Sequence, residues 1–284
     1  MSRILSSMSI ETIDPLGFRA WHGRPLPMGV EHTHGDVELN LHPSAPMDYR
    51  IGGARARLPA GRLGLLWGAV PHQLLSVDMN PDHPAFWVTI PLERLLRWDV
   101  PRAFIRDLLA GRLLVDRGDD PDLDILVLRR WVRDLDSTAD NRPDRTTELE
   151  VQARIQRMAL RHGWDVVAGQ RQHGLVSDDP VERMARHIVD HHDRPMTVAE
   201  IAGEAGWHPN YAMTRFRAAT GSTVVRYLTS QRVAYAQRLL VTTDRSILDV
   251  GLEVGFGSMS RFHAAFKAVT GQSPAVYRRS MRGG

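Results

Sequence analysis

The sequence predicts an α+β protein in which strands dominate the N-terminal third and helices dominate the rest. Over the first ~95 residues, short stretches such as Val37–Leu41 alternate apolar and polar side chains between frequent Pro and Gly, as in a β-sandwich or small barrel. From Leu92 onward, apolar residues recur at three- and four-residue steps, which is the spacing of one helix face. A chain of 284 residues is long enough for two ordinary domains.

The predicted domain boundaries follow these changes of pattern. Residues 1–98 form the expected strand-rich domain, and residues 99–167 a helical segment. Residues 168–180 contain Gly, Ser, Asp and Pro with little to bury, so they are the predicted linker. Residues 181–284 are expected to be entirely helical. The helices predicted within the second region are 101–109, 122–135 and 147–161.

Composition excludes several classes of protein. The sequence has no Cys, which rules out disulfide scaffolds, thiol catalysis and Cys-ligated zinc modules. Its longest apolar stretch, Leu63–Val70, is far shorter than the ~20 residues of a membrane span. Because Met1–Asp14 contain no apolar core of signal-peptide length, we expect a cytoplasmic protein without a membrane partner.

Charge is distributed unevenly along the chain. The whole sequence carries a formal net charge of +3, but residues 181–284 contain 14 Lys and Arg against 8 Asp and Glu, a net of +6. Residues 1–180 therefore carry a net of −3. A basic region on a slightly acidic chain indicates a polyanionic partner for that region alone. The alternative is that the excess charge only marks a solvated surface.

An internal repeat organises the C-terminal region. Thr197–Gly206 (TVAEIAGEAG) and Ser246–Gly255 (SILDVGLEVG) share a hydroxyl residue that can cap a helix, an acidic residue at the fourth position and a terminal Gly. Because Gly readily adopts the positive φ of a helix end, each copy is expected to be a helix-turn-helix motif, at about 197–219 and 246–269. The alternative is a helical bundle in which the repeat is only structural.

A long amphipathic helix is predicted between the two motifs, over Val224–Leu240. A helix of ~17 residues is ~25 Å long. It would hold the second helices of the two motifs at a fixed distance, close to the ~34 Å of one DNA turn.

Residues 184–279 resemble the DNA-binding domain of the AraC/XylS-type transcription regulators. Within that family, the chain is similar to the melibiose-operon regulator branch at Asn210–Met213, Ser260–Phe262 and Leu66–Leu74. The segments that carry the family resemblance are LTSQRVAYAQRLL (228–240), SILDVGLEVGFGS (246–258) and TGQSPAVYR (270–278).

This resemblance implies a DNA-binding regulator of a catabolic, sugar-utilisation operon, with double-stranded promoter DNA as its partner. It implies a homodimer, an α-galactoside or related sugar as effector, and contact with RNA polymerase if the protein is an activator. The chain departs from many relatives at Thr214 and Ala264, where they carry Arg, and at Arg215, where they carry an apolar residue on the inner flank.

Helical geometry divides each recognition helix into a buried and an outward face. The predicted buried residues are Ala212, Phe216 and Ala219 in the first helix and Phe262, Phe266 and Val269 in the second. The outward residues, which are the candidate DNA contacts, are Asn210, Met213, Thr214, Arg217, Ser260, Arg261, His263 and Lys267.

The chemistry of each outward residue suggests its partner on DNA. Asn210 is suited to a bidentate pair with adenine, and Arg261 or His263 to guanine or a phosphate. Arg217 and Lys267 lie further along their helices, where phosphate contacts fix the register. The residues with methyl groups suited to thymine are Met213 and Thr214.

The N-terminal region carries a set of possible metal ligands. His32-Thr-His34 and Glu38, followed by Pro71-His72, resemble the two motifs of the cupin barrel, which implies a cupin-like domain. In cupin enzymes, three His and the Glu bind a metal. His32, His34 and Glu38 also share parity along a strand, which places them on one face of the sheet.

Three interpretations of the N-terminal region stay open. We favour an effector-sensing barrel with no cofactor, resident metal or catalytic residue, in which a few polar groups and an aromatic ring hold a sugar. The alternatives are a metal-dependent cupin enzyme fused to a DNA-binding domain, and an architectural DNA binder without a ligand. The candidate effector-binding residues are His34, Glu38, Asn40, Trp67 and His72. The alternative metal set is His32, His34, Glu38 and His72.

The helical segment 99–167 is the expected dimerisation element. Leu128, Trp131 and Leu135 form an apolar stripe along one predicted helix. This stripe is suited either to a second copy of the chain or to packing on the strand-rich domain.

Overall fold

The computed structural model describes residues 17–25, 27–77, 84–118, 120–136, 145–167 and 179–282. The predicted linker 168–180 lies outside these ranges except for its last two residues, and Met1–Asp14 lie outside them as well. The strands are β1 (Arg19–Gly23), β2 (Val37–Leu41), β3 (Met47–Ile51), β4 (Ala54–Leu58), β5 (Gly64–Trp67), β6 (His72–Val77), β7 (Ala85–Ile90), β8 (Leu113–Asp116) and β9 (Trp164–Val167). The first helices are α1 (Leu92–Arg97), α2 (Arg102–Leu109), α3 (Pro121–Asp136) and α4 (Arg145–Arg157), which a π-helical turn, Met158–His162, follows. The C-terminal helices are α5 (Pro180–His191), α6 (Val198–Glu204), α7 (Pro209–Thr220), α8 (Val224–Thr242), α9 (Ile247–Glu253), α10 (Met259–Thr270) and α11 (Pro274–Arg282).

The strands form two open antiparallel sheets, not the closed barrel predicted from the sequence. The larger sheet has the order β1-β7-β2-β5-β8-β9 and the smaller one the order β4-β3-β6. Closure would require the free edge of β6 to pair with the larger sheet. Among the described residues, the segment 28–32 lies along that edge instead: the backbone N–H of Met28 donates to the carbonyl oxygen of Leu74 at 2.9 Å, and His32 forms an isolated bridge with His72. Buried side chains of both sheets nevertheless form one hydrophobic cluster, so the two sheets share a core.

Residues 99–167 are not entirely helical as predicted. Strands β8 and β9 pair with each other and extend the larger sheet beyond β5. Each is only four residues long, which is too short to show a period of two in the sequence. The three predicted helices are present as α2, α3 and α4.

The apolar stripe of α3 packs inside the molecule. Leu128, Trp131 and Leu135 are buried and belong to the core that the two sheets share. The stripe therefore covers the sheet and is not available to a second copy of the chain.

The C-terminal helices form two helix-turn-helix units, as predicted. Helices α6 and α7 make the first unit, α9 and α10 make the second, and α8 joins them. The hydroxyls of Thr197 and Ser246 cap α6 and α9, each accepting the backbone N–H three residues further on. The turns contain Gly206 and Gly255, whose φ angles are +68° and +87°. None of the helices in the described ranges is long and apolar enough to cross a membrane.

Each helix-turn-helix unit has its own hydrophobic core. Helix α8 contributes Tyr227 to the first core, beside Phe216 of α7. The other half of α8 contributes Leu240 to the second core, which includes Phe262 and Phe266 of α10. One helix thus takes part in two separate cores.

The first unit packs against the N-terminal region through α5. Glu182 of α5 is buried and accepts hydrogen bonds from Arg55 Nε at 2.6 Å and from Arg50 Nη2 at 3.4 Å. The backbone N–H of Glu31 donates to the carbonyl oxygen of Thr220, the last residue of α7, at 3.3 Å. These hydrogen bonds connect the strand-rich region to α5 and to the end of α7.

Candidate nucleic-acid interface and buried histidine cluster

Helix α7 presents a polar face to solvent. It begins after His208, whose ring Nδ1 accepts the backbone N–H of Asn210 at 3.4 Å. Ala212 and Phe216 are buried and fix the rotation of the helix about its axis. The four predicted contacts in this helix are all exposed: Asn210, Met213, Thr214 and Arg217.

The exposed face of α7 is wider than predicted. Arg215 is exposed beside Arg217, so it does not lie on an inner flank and adds a positive charge to the outer surface. Tyr211, which the sequence analysis missed, is 53% exposed, and its ring packs edge-on against Trp207 at 5.1 Å. Thr214 Oγ1 donates to the carbonyl oxygen of Asn210 at 3.1 Å, which leaves its methyl group for an outside contact.

Helix α10 repeats this arrangement in the second unit. Phe262 and Phe266 are fully buried, and Val269 is half-buried. The predicted contacts in this helix are all exposed: Ser260, Arg261, His263 and Lys267. Both recognition helices therefore have the buried and outward faces that the repeat predicts.

The ion pairs between Arg and acidic side chains in the C-terminal region lie outside the recognition helices, so the basic side chains of these helices can contact a polyanion. In the described part of the C-terminal region, Arg and Asp or Glu form ion pairs at Arg194–Glu200, Arg245–Glu253 and Arg282–Asp244. None of these pairs involves α7 or α10. Such a surface suits contacts to DNA phosphates.

Four of the five predicted effector residues lie together in the shared core of the two sheets. Glu38 Oε1 lies 2.7 Å from His34 Nε2 and 3.5 Å from His72 Nε2. Glu38 Oε2 accepts a hydrogen bond from Asn40 Nδ2 at 3.1 Å. Trp67 does not join them, because it pairs with Val37 in the β2–β5 register and therefore lies on the opposite face from Glu38.

His32 completes this group. One possible ligand atom from each of His32, His34, Glu38 and His72 lies within 4.8 Å of all the others, and all four side chains are buried. We call these four residues the histidine cluster. The pairing of β3 with β6 and the bridge between residues 32 and 72 bring His72 to the other three.

Burial and hydrogen bonding set the charges in the histidine cluster. Burial lowers the pKa of His32 well below its ordinary value, which favours a neutral ring. Burial opposes the ionisation of Glu38, but the hydrogen bond with His34 and the nearby His72 ring outweigh it and hold its pKa well below the ordinary value. The cluster therefore combines an ionised carboxylate with imidazole nitrogens.

A cavity of about 380 Å³ lies between the strand-rich region and the second helix-turn-helix unit. His34 is the one predicted effector residue among the side chains that line it. Its other polar lining residues include Thr33 and Asp36 on one side and Gln272 and Tyr277 on the other.

Two capped helix-turn-helix units with exposed polar and basic recognition faces define a double helix-turn-helix, DNA-binding protein. Residues 201–280 match the helix-turn-helix domain family. This C-terminal region is an AraC-type helix-turn-helix domain of the kind found in DNA-binding transcription regulators.

Known relatives extend this similarity beyond the C-terminal region. The melibiose operon regulatory protein of Escherichia coli K12 is 28% identical over 270 residues, which cover 92% of this chain and 86% of that protein. A helix-turn-helix-type transcriptional regulator of Staphylococcus aureus is 29% identical over 104 residues, or 37% of this chain and 14% of that protein. The DNA-binding domain of AdpA, solved in complex with a target DNA, is 34% identical, with a TM-score of 0.36, over 37% of this chain and 98% of that chain.

Proposed function

We propose that the chain is a sequence-specific regulator of a catabolic operon, controlled by a small-molecule effector. The observation that carries this proposal is the pair of recognition helices whose outward polar and basic residues are all exposed. The relatives described above are regulators, which favours this function over a metal-dependent enzyme fused to a DNA-binding domain. The protein would then act in the cytoplasm, where its promoter DNA is.

We assign one function to each of four regions of the chain. Residues 1–98 sense the effector, 99–167 support dimerisation, 168–180 link the two halves and 181–284 bind DNA. In each recognition helix, the residues near the N-terminus read bases, while Arg217 and Lys267 position the helix on phosphates.

The effector, in this proposal, binds in the cavity between the strand-rich region and the second helix-turn-helix unit. A volume of about 380 Å³ lies in the range of small-molecule sites. Thr33 and Gln272 offer hydrogen bonds from opposite walls, so a bound sugar would change how the second unit sits on the strand-rich region. The relative named for a melibiose operon favours an α-galactoside.

Exposed leucines support a homodimer. Helices α3 and α4 lie side by side, joined by the ion pair of Arg130 with Glu150. On this pair of helices, Leu123, Leu126 and Leu149 are 46%, 66% and 49% exposed. An apolar surface of this kind favours contact with a second copy of the chain.

A random-library DNA selection tests this function directly. The full-length protein is selected against random duplexes with and without melibiose, across a salt series. We expect a bipartite site with half-elements about one turn apart and a steep loss of binding with salt. We also expect the enriched sites to change with sugar.

Each other outcome has a defined meaning. Absence of enrichment in both conditions would contradict DNA recognition. If the same sites are enriched with and without melibiose or related galactosides, the protein recognises DNA but a sugar is not its effector.

A further inference from the structure

We propose that the histidine cluster binds one divalent transition-metal ion, and that this ion controls how the first helix-turn-helix unit docks on the strand-rich region. The sequence analysis favoured a sensor without a metal, whereas the geometry of the four residues favours a metal site. The metal site stands without the proposed function; its effect on DNA binding rests on that function.

The spacing of the cluster suits a single ion. Ligand atoms ~2.1 Å from a shared ion lie ~3–4 Å from one another, and the four candidate atoms here all lie within 4.8 Å. Small rotations of the side chains are enough to close that difference. The residues come from two separate parts of the chain, the segment 32–38 and His72, so tertiary structure holds the site together.

Outer contacts already orient two of the ligands. His72 Nδ1 lies 2.9 Å from the carbonyl oxygen of Val70, which makes Nδ1 the donor and leaves Nε2 for the cluster. Asn40 Nδ2 donates to Glu38 Oε2 and leaves Oε1 facing the histidines. Hydrogen bonds of this kind fix the tautomer and the carboxylate in protein metal sites.

The ligand types select the class of metal. Three imidazole nitrogens and one carboxylate oxygen, without a sulfur ligand, suit Mn²⁺, Fe²⁺, Co²⁺, Ni²⁺ or Zn²⁺ better than Mg²⁺ or Ca²⁺, which prefer oxygen. A cation would also compensate for the burial of the Glu38 carboxyl group. An ordinary core at this position would be apolar.

Glu31 connects the cluster to the DNA-binding region. Glu31, directly before His32, is fully buried, and its backbone N–H donates to Thr220 at the end of α7. Its carboxylate lies near Arg50 and the hydroxyl of Tyr227 in α8, and neither carboxylate oxygen has a hydrogen-bond partner in the described part of the chain. A shift of His32 toward a bound ion therefore moves the segment that contacts the first recognition helix.

Metal content is measured first. Tag-free protein is stripped with a chelator, dialysed against Co²⁺, Ni²⁺, Mn²⁺ or Zn²⁺, and analysed for bound metal, with the visible absorption of Co²⁺ as an independent reading. We expect about one ion per chain for the wild type. We expect at least ~100-fold weaker binding for Glu38→Gln and His72→Gln, and ~10–100-fold weaker binding for Asn40→Ala, which removes an outer contact.

The matched control is His22→Gln, a histidine on the exposed surface of β1. It should bind metal like the wild type. Circular dichroism checks that each variant is folded, and Asn40→Ala, which keeps all four ligands, gives a second test if a ligand variant does not fold. Less than ~0.1 ion per chain in the wild type, or equal binding by wild type and Glu38→Gln, overturns the metal site.

The link to DNA is tested with Tyr227→Phe, which removes only the hydroxyl that faces Glu31. We expect metal to change the affinity of the wild type for its selected site by ~5-fold or more. Tyr227→Phe should bind metal normally. The change that metal causes in the logarithm of its DNA affinity should be at most half of the wild-type change. Metal binding without any change in DNA affinity overturns the control role, whereas failure to bind DNA with or without metal overturns the proposed function and leaves the metal measurement valid.

Discussion

Arg154 is a largely shielded charge that connects α4 to α3 and β8. Its guanidinium donates to Asp124 Oδ1 at 2.6 Å and Oδ2 at 2.8 Å, and it also pairs with Asp116. Both carboxylates are almost completely shielded from solvent. Because removal of one partner leaves buried charge without compensation, such a group stabilises the fold far more than a surface ion pair.

We predict that Arg154→Met destabilises the protein by ~3–5 kcal/mol near neutral pH. The pKa of Asp116 is lowered in the folded protein, because hydrogen bonds from Gly118 and Arg154 outweigh its burial. Its stabilising effect is therefore present above the unfolded pKa and is lost as the pH falls through the lower folded value. The difference in unfolding free energy between wild type and variant should shrink below about pH 4.

Denaturant unfolding at several pH values measures this difference. Arg157→Met, an exposed arginine on the same helix, is the control and should change stability by less than ~0.5 kcal/mol. If the difference in unfolding free energy between the wild type and Arg154→Met stays constant from pH 7 to pH 3, the charge of Arg154 is not the cause of the destabilisation.

The outward residues of the recognition helices are expected to divide into two kinds. Asn210→Ala should cost ~1–3 kcal/mol on the selected site and relax the base preference at one position. Lys267→Ala should weaken binding to all sequences alike and lower the salt slope by ~1. Fluorescence anisotropy on specific and scrambled duplexes distinguishes the two.

The control for charge is Arg161→Ala, which removes one positive charge from an exposed position outside both helix-turn-helix units. It should leave the salt slope unchanged. If Asn210→Ala instead lowers binding equally on specific and scrambled DNA, Asn210 does not read a base.

At the scale of the elements, the two copies of the repeat differ in how tightly their turns are packed. A Cβ added to Gly206 would meet no neighbouring atom within 4 Å, whereas one added to Gly255 would lie 2.7 Å from the carbonyl oxygen of His192. Both glycines have positive φ. The second turn is therefore constrained by a neighbouring backbone as well as by its own conformation.

We predict that Gly206→Ala costs ~1–2 kcal/mol, the cost of the left-handed backbone alone. Gly255→Ala should cost at least ~1–3 kcal/mol more, because the backbone after α5 must move. Thermal unfolding of both variants, with hydrogen exchange on α9 and α10, gives the comparison. Equal losses for the two variants would contradict the packing difference.

Most of the elements that were predicted correctly could be predicted from residues close together in the sequence. The repeat predicted both helix-turn-helix units, because caps, apolar spacing and turn glycines all lie within a few residues of one another. Strands β8 and β9 escaped prediction because four residues show no reliable period and because their pairing joins positions 113–116 to 164–167. The open edges of the sheets likewise depend on long-range pairing.

The candidate sites show the same division. The exposed faces of α7 and α10 follow from helical periodicity, so all eight predicted contacts are exposed. The sequence expected His34 and Glu38 to share a face through parity along one strand, but β2 begins only at Val37, and the two side chains meet across the bend before it. Only the sheet register shows that Trp67 lies on the other face. The contact of Glu31 with Tyr227 joins residues that no local pattern connects.

At the scale of the whole molecule, we predict that the exposed leucines of α3 and α4 support the dimer. The double variant Leu126→Glu with Leu149→Glu should convert a dimer to a monomer at micromolar concentration, because charges on an apolar contact must be desolvated. Sedimentation velocity measures the result.

The control is Leu252→Glu, at a position 56% exposed on α9 in the DNA-binding region. It should leave the oligomeric state unchanged. A double variant that sediments like the wild type would place the dimer contact elsewhere.

The helix that joins the two recognition units also determines how they act together. Helix α8 has 19 residues and is therefore ~28 Å long, and it takes part in both cores. Once one unit is bound, this stiff connection keeps the other at a high effective concentration beside the adjacent half-element. If each unit binds DNA only weakly, the chain would still bind tightly through both, which would offset the absence of Arg at Thr214 and Ala264. Avidity within one chain, and not the strength of either unit, would then set how long the regulator stays on its promoter.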